Sequence, residues 1–259
     1  MPLAFFENIL IQLKPYTREI ALHLLGDPLI LTNLASYLDI ALKHNFRVML
    51  TTSGFYISRH SHKTLFHPSI KQINISLNSY NKNNSTIEFD KYIRDVFLLC
   101  EAKLKENNEI FLNLRVWNLD SNKSENRFNA TLFEKLSSYF KIEINGSENI
   151  RLAKKIILHF DSYFNWPSLS SNHFSNGTCQ GLISHFGILA DGRVVPCCLD
   201  SHGVIELGNL KNSSLGKILN SKRAADIING FRQNSAHEEL CLKCEYKTRF
   251  NDNSLLADM

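Results

Sequence analysis

The segment CQGLISHFGILADGRVVPCCLD, residues 179–200, sets the dipeptide Asp191-Gly192 between two short apolar runs and ends in adjacent cysteines. Asp-Gly flanked by such runs is a strong hairpin signal, and it predicts strands over 183–190 and 193–198. About forty residues later LCLKCEY adds Cys241 and Cys244, so five of the six cysteines lie from residue 179 onward, as C-x17-C-C and C-x2-C. In C-x2-C two thiolates reach one centre across a short turn. A hairpin carrying Cys197 and a loop carrying Cys179 can approach that centre from the other side. Four or five thiolates from two separated places would close a tetrahedral zinc site or complete a [4Fe–4S] cluster. Thiolate softness does not separate these two. A zinc ribbon usually shows two C-x2-C knuckles, however, and the wide first half here suits the larger cluster. A redox disulfide at C-x2-C would lack the βαβ context such motifs use. Arg193, Lys243, Lys247 and Arg249 lie close in sequence to these cysteines. That agrees with the net charge of about −2 on a four-thiolate cluster, although basic residues also populate plain solvated faces. Cys100, alone on the inward face of a predicted helix, reads as a buried structural thiol.

Outward from this segment, the 259-residue chain is 44% hydrophobic and 21% charged, with 6 Pro and 11 Gly, an ordinary globular composition with little room for a disordered linker. A net charge of +4 spread among acidic residues lacks the footprint of a nucleic-acid binder. The N-terminal MPLAFFENILIQLKPYTREI interrupts its apolar residues with Glu7, Asn8, Gln12 and Lys14. It has neither the basic start nor the continuous apolar run of a signal peptide or membrane span. The expectation is a cytoplasmic protein with no nucleic-acid or membrane partner, in a compartment where structural disulfides are rare.

Upstream of residue 166 strands and helices alternate. Phe5, Phe6, Ile9, Leu10 and Leu13 recur at helical spacing ahead of Pro15, predicting a helix over 3–14. EIALHLL (19–25) reads as a buried strand that ends in the loop Gly26 to Pro28, followed by a helix at 32–44 and the strand FRVMLTT (46–52) ending at Ser53-Gly54. The unit repeats as strand 72–77, helix 87–105 and strand 110–117, then helix 130–140 and strand 155–160. Asn-rich stretches at 78–84 and 118–129 read as surface connections. Such alternation implies an α/β fold with a parallel sheet, doubly wound or barrel-like, whose ligands sit at the carboxyl ends of the strands. Those ends carry Gly26, Asp27, Thr51, Thr52, Ser53, Gly54, Asn78 and Asn118. Beyond about 166 the pattern shifts to Gly, Ser, Asn, His and Cys, so two domains are expected, 1–165 and 166–259, the second with helices at about 213–220 and 221–232.

These residues together resemble the radical S-adenosylmethionine (AdoMet) enzymes that carry a C-terminal SPASM or twitch domain. C-x12-G-x4-C, with Gly192 as its glycine, is similar to the start of that domain, and ELCLKCEY to its closing pair. The resemblance to the one-cluster twitch version implies Cys179, Cys197, Cys241 and Cys244 as ligands of an auxiliary [4Fe–4S] cluster, with Cys198 spare. HLLGDPL resembles the loop that receives the AdoMet amino group, LTTSG the stretch after the next strand, and INISLNSYN and LRVWN the two strands beyond. By that likeness Gly26, Asp27, Pro28, Thr52, Ser53, Gly54, Ser76 and Asn78 are the cofactor-binding candidates. The family's defining C-x3-C-x2-C loop does not occur in residues 1–259. In the family those three thiolates leave one iron open for AdoMet to chelate, whereas a four-thiolate cluster is coordinatively closed. The expectation is therefore an incomplete, partial TIM-type βα barrel without its first strand, joined to an iron–sulfur domain. AdoMet chemistry would follow only if the missing cluster is supplied, whether by an upstream segment or by a separate chain.

Rival chemistries have little to rest on: no Gly-x-Ser-x-Gly elbow, P-loop or His-Glu-x-x-His is present. His23, His159 and His185 sit in apolar runs and read as core histidines. Asp200, just past the cysteine pair, is a weak candidate general base, although a carboxylate after a strand is more often a turn residue. The sequence thus points to a truncated or degenerate radical AdoMet enzyme with a peptide or small-molecule substrate and an electron donor as partners. The alternatives are a non-catalytic iron–sulfur protein for electron transfer or partner binding and, third, a zinc-binding module.

Overall fold

The computed structural model describes residues 1–24, 26–82, 87–119, 123–146 and 148–250. They form two compact units, one of Lys14–Tyr163, the other of Met1–Leu13 together with the chain from Phe164 onward.

In the first unit a six-stranded sheet runs in the order β1 (Glu19–Leu22), β2 (Arg47–Thr52), β3 (Ile70–Ser76), β4 (Phe111–Leu119), β6 (Ile156–Ser162), β5 (Ile150–Ala153). Four parallel pairings join β1 to β6, and β5 closes the edge antiparallel to β6. Parallel strands laid down in sequential order make the wall of a barrel, whereas a doubly wound sheet reverses its order midway. Helix α1 (Leu3–Leu13) precedes this unit; the helices within it are α2 (Leu34–Lys43), α3 (His62–Leu65), α4 (Ser79–Lys82), α5 (Phe89–Lys105) and α6 (Lys123–Phe140).

The two faces of the sheet differ because strand residues alternate. One face, with Val48, Leu50, Ile73, Ile75, Leu112, Leu114, Val116, Ile156 and Leu158, is fully buried. α5 buries Tyr92, Ile93, Val96, Leu99, Cys100, Ala102 and Lys103 along one stripe, each large apolar side chain contributing about 1.5–3 kcal/mol by leaving water. The opposite face carries Thr51, Gln72, Asn74, Ser76, Asn113, Arg115, Trp117 and His159, polar and mostly half-buried.

Four sequence readings shift. The run 19–25 reads as a buried strand, but β1 covers Glu19–Leu22 and alternates exposed and half-buried, since it pairs only with β2. β5 goes unread because Ile150–Ala153 is short and mixed in polarity. The Asn-rich stretches 78–84 and 118–129 lie partly outside the described residues, and their described parts hold α4 and the start of α6. α1, given by the sequence to the α/β part, belongs to the other unit. There its Gln12 side chain accepts from Leu215 N at 2.8 Å, and its buried stripe is Phe6, Ile9, Leu10 and Leu13.

In the second unit a small antiparallel sheet orders β7 (Gly187–Ile188), β8 (Arg193–Val195) and β9 (Gly208–Asn209). The Asp191-Gly192 turn joins β7 to β8. Gly192 has φ +96°, and a Cβ there would stand 2.8 Å from the Phe5 ring. Only glycine meets both demands cheaply. Asp191 fixes the turn, accepting from Arg193 N at 3.1 Å and Arg193 Nε at 2.8 Å. α7 (Leu215–Leu219) and α8 (Lys222–Arg232) start on Ser214 and Ser221, whose hydroxyls accept from Lys217 N and Ala224 N. Such caps stabilise a helix by about 1 kcal/mol each. α9 (Glu239–Leu242) and a 3-10 helix over Glu245–Phe250 carry the last two cysteines' surroundings.

Candidate functional site

The cysteines of the second unit come from three local structures: a loop (Cys179), the end of the hairpin (Cys197, Cys198), and α9 with the turn after it (Cys241, Cys244). All are free thiols, half-buried. They share one electrostatic neighbourhood: the charge of Cys241 is felt with those of Cys197, Cys179 and Cys244, and that of Cys179 with those of Cys244 and Cys198. Beneath them lies an apolar cluster of Ile205, Ile227, Phe231, Ala236 and Leu240, against which Cys179 and Cys241 pack. Desolvation there raises every one of the five thiols, Cys197 to about 12.

N–H groups of the residues that follow oppose that rise at three of them. Gly181 N donates to Cys179 Sγ at 3.4 Å. Leu199 and Asp200 N–H groups serve Cys197, and Tyr246 and Lys247 serve Cys244. Donors aimed at sulfur favour the thiolate, the form that binds metal. At Cys198 the opposing N–H is the residue's own. The donor set, all sulfur with N–H support and apolar packing, fits an iron–sulfur cluster. Among the described residues no three Cys, His, Asp or Glu side chains close around a point where a single ion could sit. Cys100, by contrast, is wholly buried on α5 with its thiol pushed up to about 12 by desolvation, an inert core group.

The Asp200 carboxylate, offered by the sequence as a weak general-base candidate, is engaged by backbone donors. It is 1% exposed, and its carboxylate oxygens accept from Val204 N at 2.8 Å and Ile205 N at 2.7 Å. It closes the turn after the cysteine pair.

At the carboxyl ends of β1 and β2 the cofactor candidates form one network around Asp27. Its Oδ1 accepts from Leu29 N at 3.0 Å, capping the 3-10 turn Pro28–Ile30. Its Oδ2 accepts from Thr52 Oγ1 at 2.8 Å, Ser53 N at 2.8 Å and Ser53 Oγ at 2.6 Å. Thr52 Oγ1 in turn accepts from Gly54 N at 3.0 Å, and Tyr92 Oη donates to Ser53 O at 2.8 Å. Asp27 and Thr52 therefore position the two loops. Gly54 has φ +90°, and a Cβ would lie 3.0 Å from Tyr92 Oη. Gly26 is exposed, and among the described residues nothing lies within 4 Å of a Cβ placed there.

Ser76 ends β3, and Asn78 lies two residues beyond it. Ser76 is in register with Arg115 and His159, one row across the polar face. Asn78 Oδ1 accepts from Trp117 N at 3.3 Å, tying β3 to β4. His159, read from sequence as a core residue, lies half-buried on this face, where Trp117 Nε1 donates to its Nδ1 at 2.9 Å. That bond leaves the proton of the neutral ring on Nε2. Desolvation and then the Arg115 charge hold its pKa below the ordinary value. The Arg115 guanidinium sits 4.6 Å over the Trp117 ring. Strand alternation with Arg115 and Trp117 two residues apart was the signal for this row. His185 is also half-buried, its Nδ1 within 3.1 Å of Ser184 Oγ, and desolvation lowers its pKa.

Residues 179–245 match the family model of SPASM, an iron–sulfur cluster-binding domain. No curated protein sequence matches the chain. Among solved structures the chain is similar to BtrN in complex with AdoMet and 2-DOIA, with 15% identity and a TM-score of 0.59 over 95% of this chain and 80% of that one. It is also similar to anSMEcpe with bound AdoMet and Cp18Cys peptide, with 16% identity and a TM-score of 0.57 over 97% and 80%. A third is Streptococcus suis SuiB bound to precursor peptide SuiA, with 15% identity and a TM-score of 0.55, over 94% of this chain and 63% of SuiB. At these identities the likeness establishes the fold. Among the described residues no helix is long and apolar enough to cross a membrane.

Proposed function

We propose that this chain, whose residues 179–245 match an iron–sulfur cluster-binding SPASM domain and whose fold is similar to that of BtrN and anSMEcpe, is a radical AdoMet/SPASM-type iron–sulfur protein in which Cys179, Cys197, Cys241 and Cys244 hold one auxiliary [4Fe–4S] cluster in the second unit. The observation that carries the ligand choice is the N–H support at Cys179, Cys197 and Cys244, joined to the position of Cys241 among all three. The cluster supplies one-electron transfer when bound. The chain's own part is to hold four thiolates, keep water from the apolar side and brace the hairpin through Asp191 and Asp200.

In the first unit the proposal is that AdoMet lies against the loops after β1 and β2 and the polar ends of β3 and β4, with Gly26, Asp27, Pro28, Thr52, Ser53, Gly54, Ser76 and Asn78 shaping the site. Asp27 and Thr52 act by holding backbone, and Ser76 faces the ligand side. The three-thiolate loop that would make AdoMet cleavage possible is not among residues 1–259, so cleavage depends on such a cluster from elsewhere. Peptides bound by anSMEcpe and SuiB support a peptide substrate, and 2-DOIA in BtrN supports a small molecule. Six free thiols suit a reducing compartment such as the cytoplasm.

Anaerobic reconstitution of Cys→Ser variants tests the ligand assignment. Cys179→Ser, Cys197→Ser, Cys241→Ser and Cys244→Ser should each lose most of their iron, while Cys100→Ser and Cys198→Ser keep it. Equal loss at Cys198 would overturn the assignment.

A further inference from the structure

Among the described residues two lysines are buried, and their surroundings differ. Lys103, on α5, is 1% exposed; its Nζ donates to Asn108 O and Lys154 O, both at 2.9 Å, and the carboxylate of Glu109 acts on it favourably. It is a bracket for the amino-terminal edge of the sheet with an acidic counter-charge nearby.

Lys247, in the 3-10 helix after the last cysteine, is also 1% exposed. Its Nζ donates to Leu242 O at 3.0 Å and stands 5.7 Å from the centre of the Phe174 ring. Phe174 N donates to the same Leu242 carbonyl at 3.0 Å, which fixes ring and ammonium around one acceptor. Burial holds its pKa below the ordinary lysine value, and the charges that oppose this are those of Cys244, Cys241 and Cys179. The neighbouring carboxylates are engaged elsewhere: Glu245 accepts from Asn165 N and Nδ2, and Glu239 pairs with His173 and Lys243. Burying an ammonium is costly unless opposite charge faces it. At this site the opposite charge belongs to sulfur.

We propose that Lys247 is the fixed counter-charge of the cysteine site, an ammonium placed to stabilise the negative charge of a thiolate-bound cluster and so to raise its reduction potential. This rests on the reading of residues 179–244 as a cluster site. A four-thiolate [4Fe–4S] centre gains one further negative charge on reduction. A nearby cation therefore favours the reduced form over the oxidised one, and net charge is among the factors that set such potentials. Lys243, by contrast, donates to Leu169 O and pairs with Glu239, so its charge already has an acidic partner.

The test compares anaerobically reconstituted wild type, Lys247→Met and Lys247→Arg for iron and sulfide content and for midpoint potential by EPR-monitored titration. Methionine keeps the apolar stem and removes the charge; arginine keeps the charge. The expected result is a midpoint shifted to more negative potential in Lys247→Met, or failure to retain the cluster, with Lys247→Arg loading iron and lying nearer wild type. A Lys247→Met protein with wild-type iron and potential would overturn the proposal and leave the cluster reading intact, as would loss in both variants alike. A wild type that takes up no iron and sulfide would instead overturn the cluster reading itself.

Discussion

The Asp27 network and the cysteine site make a useful contrast. Around Asp27 every charge already has its donors: one carboxylate gathers four hydrogen bonds from three residues and locks two loops with protein atoms alone. In the cysteine site Cys179 and Cys241 pack on an apolar bed, and desolvation pushes all five thiols toward the protonated form. The first is pre-organised, so the ligand proposed for it would meet finished backbone. On the proposed reading the second is completed by what it binds, because a bound metal draws the protons off the thiols and offsets the charge of the thiolates it holds.

The sharpest way to break that contrast is to remove a proposed cluster ligand. Cys241→Ser should lose most bound iron and strongly lower the thermal stability and protease resistance of the second unit, leaving residues 14–163 protected. Uniform loss of protection across both units, followed by hydrogen exchange, would show that the first unit is not independently organised.

Next in size is Asp27→Ala. It leaves backbone and side-chain donors of Leu29, Thr52 and Ser53 unpaired, with an expected loss of about 1–3 kcal/mol in the first unit and weaker AdoMet binding by calorimetry, while iron content in the second unit stays at the wild-type level. Gly54→Ala should cost of the order of 1–3 kcal/mol from its positive φ, made worse by contact with Tyr92 Oη at 3.0 Å; chemical denaturation measures it.

A pH series sharpens the contrast from the other side. In metal-free protein burial raises Cys197 to about 12, whereas an unfolded thiol titrates near about 8.5. The folded form holds the proton longer, so this stabilisation is present below about pH 8.5 and lost as pH rises toward 12. Unfolding of the metal-free second unit should grow easier over that window, and a flat profile would contradict the burial of Cys197. The smallest effect is expected at Cys198→Ser, with iron content and stability close to wild type.

The sequence made much of this legible, for identifiable reasons. Alternation of apolar strands and helices placed β2, β3, β4 and β6 to within a few residues, since long buried runs have strong periodicity. Asp191-Gly192 disclosed its hairpin because the turn needs glycine's φ. Edge elements were harder: β1 is half exposed and β5 is four residues long. The partners of α1 could not be read, because an amphipathic stripe says that it is buried and not against what. Lys247 illustrates the same limit, since a lysine in a basic stretch looks solvated until the fold brings Leu242 and Phe174 around it. Asp200 stood in sequence as either base or turn residue, and the N–H groups of Val204 and Ile205 that its carboxylate binds could not be read there.

The most direct test of the central claim is the metal and sulfide content of wild-type protein purified and reconstituted without oxygen, read together with its Mössbauer spectrum. The account predicts about four iron and four sulfide per chain in a single cubane cluster. One zinc per chain with no sulfide would contradict it.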